Sequence, residues 1–424
     1  MIHAIRPSLC ATGSPPPCWP TALPYILTMS TPHTPLRKIP SSIWVLGFVS
    51  LLMDVSSELI HSLLPVFMVT SLGISVFVVG LIEGAAEATA LIVKVFSGAL
   101  SDYWGKRKPL AVLGYGLGAA SKPLFALAAS SGWIITARLL DRVGKGIRGA
   151  PRDALVADLA PPELRGAAFG LRQSLDTVGA FLGPMLAVAF MLLWQNDFRA
   201  VFWVATVPAF LSVALLIWGI KEPERPATAH RSNPISRTNL KRLSPAYWWV
   251  VGVGAVFTLA RFSEAFLVLR ASEGGLPLAW TPVVLIGMNI VYASCAYPFG
   301  KLADKLSHTH LLGWGLVMLI GADALLAYSN QGLVFWAGVA LWGLHMAMTQ
   351  GLLAAMVADT APADLRGTAY GFFNLLSGLA MLIASGLAGW LWQSWGAPVT
   401  FMAGIGFAAL ALLLLVLQPR TLRS

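Results

Sequence analysis

Residues 98–108 read Gly-Ala-Leu-Ser-Asp-Tyr-Trp-Gly-Lys-Arg-Lys, and residues 300–305 read Gly-Lys-Leu-Ala-Asp-Lys. The two stretches keep the same glycine, leucine and aspartate at an offset of 202 residues. A second pair recurs at an offset of 201, because residues 157–166 read Ala-Asp-Leu-Ala-Pro-Pro-Glu-Leu-Arg-Gly and residues 358–367 read Ala-Asp-Thr-Ala-Pro-Ala-Asp-Leu-Arg-Gly. Two separate matches at nearly one offset predict a duplicated unit that occupies each half of the chain.

The composition indicates a membrane protein. Of the 424 residues, 57% are hydrophobic and 11% are charged, whereas soluble domains carry about 25% charged residues. The apolar residues form blocks of about 20 residues or more, a length that suits a hydrocarbon layer about 30 Å thick. The blocks lie near 43–69, 76–100, 109–129, 132–158, 167–193, 198–219, 246–270, 278–300, 310–328, 332–359, 367–392 and 396–417. The predicted fold is therefore an all-α membrane protein with twelve transmembrane helices in two six-helix repeats.

Polar segments predict the domain boundaries. The predicted organisation is a disordered tail (1–42), a first six-helix half (43–220), a cytoplasmic linker (221–245), a second six-helix half (246–418) and a short tail (419–424). The proline-rich beginning has two interpretations, because Met29 opens an ordinary second start. Residues 1–28 are either a mis-called start or part of the disordered tail, and neither interpretation gives them a function.

The basic residues predict the orientation of the helices. The chain holds 29 Lys and Arg against 19 Asp and Glu, a formal charge of +10. Twelve spans place both termini on one side, and with the termini in the cytoplasm the opposite loops hold little beyond Arg199 and Arg270. The positive-inside rule therefore predicts a multi-pass protein of the cytoplasmic (inner) membrane with both termini in the cytoplasm. This distribution accounts for the basicity without a nucleic-acid partner.

The duplicated loops resemble the major facilitator superfamily over essentially the whole chain after residue 40. Residues 98–108 match that family's loop of glycine-x-leucine-x-aspartate-x-x-glycine followed by two basic residues, although Tyr103 replaces a usual basic residue and Ser307 replaces a glycine in the second copy. The resemblance implies cytoplasmic gates at these loops and a central cavity lined by the first, fourth, seventh and tenth spans. The candidate gating residues are Gly98, Asp102, Gly105, Lys106, Arg107, Asp158, Arg165, Gly300, Asp304, Asp359 and Arg366.

The fourth apolar block carries a stripe of charges. At 100° per residue the stripe occupies one helical face roughly 120° wide, and it consists of Arg138, Asp141, Arg142, Lys145, Arg148 and Arg152. A central Lys or Arg costs about 2.5–3.5 kcal/mol on insertion scales, whereas a Leu returns only about 0.3–0.6 kcal/mol. The stripe must therefore face water, counter-charges or substrate, although the part from Arg148 onward can also lie in the cytoplasm. Its residues Arg138, Asp141, Arg142, Lys145 and Arg148 are candidates for the substrate cavity. The run from Asp141 to Arg148 resembles a subgroup of the family to which we attach no substrate.

The first block carries Asp54, Glu58 and His61 at i, i+4 and i+7 of one helical face. The resemblance places this face across the cavity from the fourth span, so we interpret the three residues as candidates for proton coupling. The alternative interpretation is a structural ion pair with the fourth span. In the second half, the cavity candidates are Arg261, Glu264, His345 and Gln350. A lone histidine such as His345 is more often a hydrogen-bonded packing residue than a proton relay.

The fifth block contains Gly179, Gly183 and Pro184. This run resembles part of the glycine-rich signature of proton-coupled exporters, but Met185 and the residues after it replace the final glycine pair. The alternative interpretation is a packing face of small residues with a proline kink.

Several chemistries have no support in the sequence. Gly144-x-Gly146 lies within a membrane block and follows no strand, so it is no phosphate loop. We predict no enzyme activity, no cofactor and no metal site. The predicted function is secondary active transport by a monomer, in the form of proton-coupled export of a small molecule. The cations of the fourth span favour an anionic substrate. The other predicted partners are protons and membrane lipid. The alternatives are proton symport or facilitated uptake of an organic solute, and a transporter-like receptor or assembly protein without a transport cycle.

Overall fold

The computed structural model describes residues 39–417 except for Gly105, residues 223–241, residues 304–305, Gln350 and residues 363–364. The predicted N-terminal tail up to residue 38 and most of the predicted linker therefore lie outside the described residues. Twelve helical segments account for almost all of the described chain. The prediction of an all-α membrane protein is confirmed.

The segments, numbered here in chain order, coincide with the twelve apolar blocks. The first half contains α1 (Ser41–His61, continued by Leu64–Thr70), α2 (Val76–Trp104), α3 (Lys108–Ala126), α4 (Ser131–Leu159), α5 (Arg165–Leu193) and α6 (Phe198–Gly219). The second half contains α7 (Pro245–Ala260, continued by Ala265–Glu273), α8 (Val283–Ala303), α9 (His308–Tyr328), α10 (Gly332–Thr349, continued by Leu352–Thr360), α11 (Arg366–Trp395) and α12 (Ala397–Val416).

Ten of the segments are long and apolar enough to cross a membrane, and α3 and α4 fall short of that standard. The reason lies in their polar residues, because α3 contains Lys122 and α4 contains the charged stripe. The two helices pack against each other, α4 also packs against α2, and α3 also packs against α6. Their charges can therefore be matched inside the protein rather than exposed to lipid.

The two halves repeat the same helix packing. In the first half α1 packs on α5 and α6, α2 packs on α4, and α3 packs on α4 and α6. In the second half the helices six positions later make the corresponding contacts, since α7 packs on α11 and α12, α8 packs on α10, and α9 packs on α10 and α12. This agreement is the structural counterpart of the sequence repeat.

The halves meet mainly along α2 and α11, which approach each other at small residues. A Cβ atom added at Gly80 would overlap the carbonyl oxygen of Ser385, and one added at Gly389 would lie 2.8 Å from the carbonyl oxygen of Val76. The second part of α1 also contacts the second part of α7. These contacts share the end of the bundle where α1 finishes and α2 begins, which we call the closed end.

Like α1, two further helices that the family resemblance assigns to the cavity are interrupted. The first part of α7 ends at Ala260 and the second part begins at Ala265. In α10 the interruption includes Gly351, whose φ of +82° is a conformation that favours glycine. Both interruptions expose backbone polar groups in the middle of an apolar segment, which is tolerated only where protein or water can satisfy them.

Candidate functional site

A cavity of about 770 Å³ lies between the halves. It is lined by α1, α2, α4 and α5 of the first half and by α8 of the second half. The lining runs from the middle of the bundle toward the end at which α2 and α4 finish and α5 begins, opposite the closed end. Among the residues that the structure describes, the eight charged lining residues all belong to the first half, and they are Asp54, Glu58, Glu87, Lys94, Lys145, Arg148, Arg152 and Asp176. The volume is that of a site for a drug-sized molecule.

The two acids of α1 lie in this cavity. The side chains of Asp54 and Glu58 are 27% and 31% exposed. Asp54 Oδ1 is 4.0 Å from Arg148 Nη2, and Glu58 Oε1 is 3.9 Å from His61 Nδ1. Both acids are therefore open to water, and neither of these contacts is short enough to be a tight hydrogen bond.

Behind the cavity wall lies a buried cluster of Ser57, His61, Lys122 and Asp141. Lys122 Nζ is 2.7 Å from Asp141 Oδ1 and 3.0 Å from Ser57 Oγ, and His61 Nε2 is 3.4 Å from Asp141 Oδ2. Lys122 and Asp141 are almost completely buried. Asp141 was predicted as a cavity residue, but its carboxylate serves as the counter-charge of Lys122 and does not line the cavity.

The first arginines of the stripe are also held in ion pairs. Arg138 donates a short hydrogen bond to Glu83 of α2, and both side chains are buried. Arg142 Nη2 lies 3.0 Å from Glu87 Oε1, and of these four residues Glu87 alone lines the cavity. Counter-charges, one of the three environments expected for the stripe, are supplied to both arginines by α2. Neither arginine lines the cavity for which it was a candidate.

Lys145 differs from the rest of the stripe because it is exposed within the cavity lining. Lys94 of α2 is exposed on the same lining, and its side chain passes over Gly149, where an added Cβ atom would lie 3.6 Å from Lys94 Cε. Neither ammonium group has an ion-pair partner among the residues that the structure describes. Lys94 was not among the candidates of the sequence analysis, although it lies two helical turns after Glu87 on one face of α2.

The stripe continues along the cavity at Arg148 and Arg152. The Arg148 guanidinium carbon lies 4.8 Å from the centre of the Tyr115 ring, and Arg152 Nη1 donates to Ser50 Oγ at 3.3 Å. Arg152 Nη1 is also 3.9 Å from Asp176 Oδ2. Asp176 forms an ion pair with Arg172 one turn earlier on α5, so this pair lies within one helix.

Those candidates of the second half that the structure describes lie apart from the cavity lining. Arg261 Nη2 is 3.6 Å from Glu264 Oε1 across the interruption in α7. His345 is fully buried, and its Nδ1 donates to the carbonyl oxygen of Gly315 at 2.9 Å. This geometry is that of a hydrogen-bonded packing residue rather than a proton relay. Gln350 lies outside the described residues. The second half contributes neutral polar groups to the cavity, from Asn289, Tyr292 and Ser294.

The candidate gating residues lie at the end of the bundle opposite the closed end. Arg107 Nη1 is 2.8 Å from Asp158 Oδ2, which joins the two repeated motifs of the first half. The backbone N–H groups of Arg107 and Lys108 donate to the carboxylate of Glu222 at 2.7 and 2.8 Å. This carboxylate binds the free donors at the start of α3, as anions do at helix N-termini.

The remaining gating candidates make few contacts in this conformation. Arg165 Nε donates to the carbonyl oxygen of Ala157 at 3.2 Å, and Asp359 Oδ2 is 3.2 Å from His308 Nδ1. Lys106, Gly300 and Arg366 are exposed, and Gly98 faces Ala150 of α4 at a distance of 3.4 Å from an added Cβ atom. The side chain of Asp102, together with Gly105 and Asp304, lies outside the described part of the chain.

The glycines of α5 position the acids of α1. A Cβ atom at Gly179 would lie 2.8 Å from the carbonyl oxygen of Leu51, and one at Gly183 would lie 2.6 Å from Glu58 Cβ. Pro184 follows inside the helix without ending it. Close packing of α5 on α1 therefore accounts for both glycines, and it holds the backbone of Glu58 against α5.

Comparisons with known proteins agree with the fold. The model of the Major Facilitator Superfamily matches residues 46–290 and 272–424. An uncharacterized MFS-type transporter of Methanocaldococcus jannaschii is 35% identical over 389 residues, which cover 90% of this chain and 95% of that protein. The multidrug resistance protein MdtH of Yersinia pestis is 25% identical over 357 residues, covering 82% of this chain and 86% of that protein. The crystal structure of the human organic anion transporter MFSD10 superimposes with a TM-score of 0.64 at 18% identity, covering 89% of this chain and 100% of that chain.

Proposed function

Because the chain belongs to the major facilitator superfamily, we propose that it exchanges protons for a small molecule with an anionic group, in the direction of export from the cytoplasm. Members of this family are multi-pass membrane transporters and not enzymes. Coupling to protons, direction and substrate class are the proposed part. The proposal further includes an inner-membrane location with both termini in the cytoplasm.

The observation that carries the proposal is the arrangement of charge in the cavity. Two water-accessible acids, Asp54 and Glu58, share the cavity with two ammonium groups, Lys94 and Lys145, that lack partners among the described residues. A cation in a low-dielectric site attracts an anion strongly, and an acid in the same space can bind and release protons. When a substrate contacts both the acids and the lysines, its binding is thermodynamically coupled to the protonation of the acids.

The chemical groups of the substrate decide whether it is exchanged for protons or moves together with them. A molecule that offers an anionic group to the lysines and a hydrogen-bond donor or cationic group to Asp54 or Glu58 competes with the proton, and competition leads to exchange. A purely anionic molecule has the opposite effect, because protonation of Asp54 removes the counter-charge of Arg148 and strengthens anion binding. That pair, with its separation of 4.0 Å, favours symport as the second candidate.

Export is supported by two further features. The glycines of α5 pack directly against the backbone of the acidic face of α1, in a run that resembles part of an exporter signature. The similar protein MdtH is a multidrug resistance protein. In our proposal the halves rock about the cavity, and the conformation described here has its cavity open toward the cytoplasm.

Proton flux in inverted membrane vesicles tests the coupling. We expect a transported compound to dissipate the pH gradient with the wild type, and Asp54→Asn or Glu58→Gln to abolish this flux while the purified variant still binds the compound. A change of the opposite sign, with protons following the compound, would replace exchange by symport. Compound movement without any proton movement in the wild type would contradict coupling, and binding without movement would favour the receptor alternative.

Substitution of the unpaired lysines tests the anionic substrate class. We expect Lys94→Gln and Lys145→Gln each to weaken binding of an anionic substrate by about tenfold or more, because each removes a charge-assisted contact. The matched control is Lys301→Gln, since Lys301 lies over the ring of Tyr297 at 4.6 Å and does not line the cavity. Equal affinities in all three variants, measured by calorimetric titration, would rule out the lysines as the anion site.

A further inference from the structure

A buried acidic side chain of the second half has no role in the proposed mechanism. Asp323 of α9 is fully buried, and neither of its carboxyl oxygens has a hydrogen-bond partner in the described part of the chain. It does not line the cavity. The contrast with Asp141 is clear, because that buried carboxylate lies 2.7 Å from the ammonium group of Lys122.

The carboxyl group lies beside the interruption in α7. Asp323 Oδ2 and Phe262 Cε1 both lie against Gly404 of α12, where an added Cβ atom would meet them. Phe262 is one of the four residues between the two parts of α7. The indole ring of Trp342 from α10 lies 5.5 Å from the Phe262 ring, and its Nε1 also lacks a partner among the described residues.

No charged side chain on the packed helices offers a counter-charge. On α7, Arg261 is paired with Glu264, and Arg270 donates to the carbonyl oxygens of Leu326 and Ala327. Of the titratable residues that α10 places near α9, His345 is bonded to Gly315 and Asp359 pairs with His308 at the start of α9, and α12 contributes none. Tyr328 at the end of α9 is exposed.

A carboxylate in these surroundings would be a buried charge without compensation, so the group must be the neutral acid and must hold a proton. Its position also matters, because interrupted helices in secondary transporters provide backbone groups that bind protons or sodium ions. A buried polar group without a partner in a native structure calls for a functional explanation.

We propose that Asp323 is a second proton-binding site, located in the second half, which is occupied in this conformation and is emptied when α7 rearranges at its interruption. Phe262 directly follows Arg261 in the interruption of α7, so movement of this segment would shift the ring that lies beside the acid. Occupancy of the site is independent of the proposed function, whereas its part in coupling depends on that function.

Two direct measurements test occupancy. We expect the infrared C=O stretch of a protonated carboxylic acid at neutral pH in the purified wild type and the loss of one such component in Asp323→Asn. We also expect dicyclohexylcarbodiimide, an apolar reagent for protonated carboxyl groups, to modify the Asp323 peptide. An unchanged infrared spectrum in the variant would overturn the proposal, and protection of Asp323 from the reagent by sodium ions at constant pH would make it a sodium site instead.

A matched pair of glycines controls for indirect effects. Gly404→Ala introduces a methyl group that overlaps Asp323 Oδ2, whereas Gly406→Ala enters open space on the same helix. We expect the first change to shift the infrared component and the second to leave it unchanged. An equal response to both would contradict the assigned position of the acid.

A separate measurement tests whether Asp323 takes part in proton coupling. We expect Asp323→Asn to retain substrate movement and to lose protons moved per substrate in the vesicle assay. If the wild type moves no protons while the infrared component is present, the proposed function fails and the occupied site remains. Full proton movement in a well-folded Asp323→Asn variant would overturn the coupling role of this site.

Discussion

Replacing Lys122 by methionine is expected to lower the free energy of unfolding of the first half by about 3–5 kcal/mol, the cost of breaking a buried ion pair from one side. The ammonium group is fully buried and lies 2.7 Å from Asp141 Oδ1. Without it, the Asp141 carboxylate would remain in the interior with only the imidazole of His61 and the more distant Arg142 nearby. Unfolding in detergent, followed by circular dichroism, measures this change.

The cavity lysine is the matched control for this prediction. Lys145→Met removes the same charge from an exposed side chain with no ion-pair partner in the described structure, so its effect on stability should stay within about 0.5 kcal/mol. Adding Asp141→Leu to Lys122→Met should recover most of the loss, because it removes the unpaired carboxylate as well. If the two methionine variants were equally stable, the buried cluster would not have the structural role assigned to it.

Replacing Gly80 by alanine is expected to shift the protein away from the conformation described here. The new methyl group would overlap the carbonyl oxygen of Ser385, at the contact between α2 and α11. Overpacking of this kind costs about 1–3 kcal/mol, and it acts on the conformation in which the halves meet at the closed end. The population of that conformation should therefore fall by about 5- to 150-fold relative to its alternative.

Distance measurements between spin labels test this shift. Labels at Ser71 and Ser272, one on each half at the closed end, should move apart in Gly80→Ala on a background that lacks the native cysteines. Gly116→Ala is the control, because an added Cβ atom there has open space around it, and its distances should match those of the unsubstituted protein. Unchanged distances in both variants would show that the α2–α11 contact does not control the conformation.

The sequence predicted much of the fold because the bilayer imposes a simple rule on it. Each span needs about 20 apolar residues, so each of the twelve segments is visible as an apolar block. The repeated motifs predicted the duplication, and the helices six positions apart make corresponding contacts. The cost of charge in lipid likewise predicted that the α4 stripe must face water, counter-charges or substrate rather than lipid.

The ion-pair partners of those charges could not be predicted from the sequence. Helical spacing predicts which residues share a face, but not which neighbouring helix that face meets, and the neighbour decides whether a cation is neutralised. Glu83 and Glu87 of α2 neutralise Arg138 and Arg142, and Lys122 of α3 neutralises Asp141. The same reasoning overlooked Asp323, although it is an acidic residue in the otherwise apolar middle of α9.

The sequence by itself therefore determined the membrane class, the number of segments, their duplication and the need to compensate the α4 charges. All four follow from local composition and from the high cost of charge in hydrocarbon. Only the tertiary structure decided which charges are buried in pairs, which two lysines remain open in the cavity, and that Asp323 has no partner in the described chain. These outcomes depend on distances between helices that are remote in sequence, and electrostatic energies change steeply over those few ångströms.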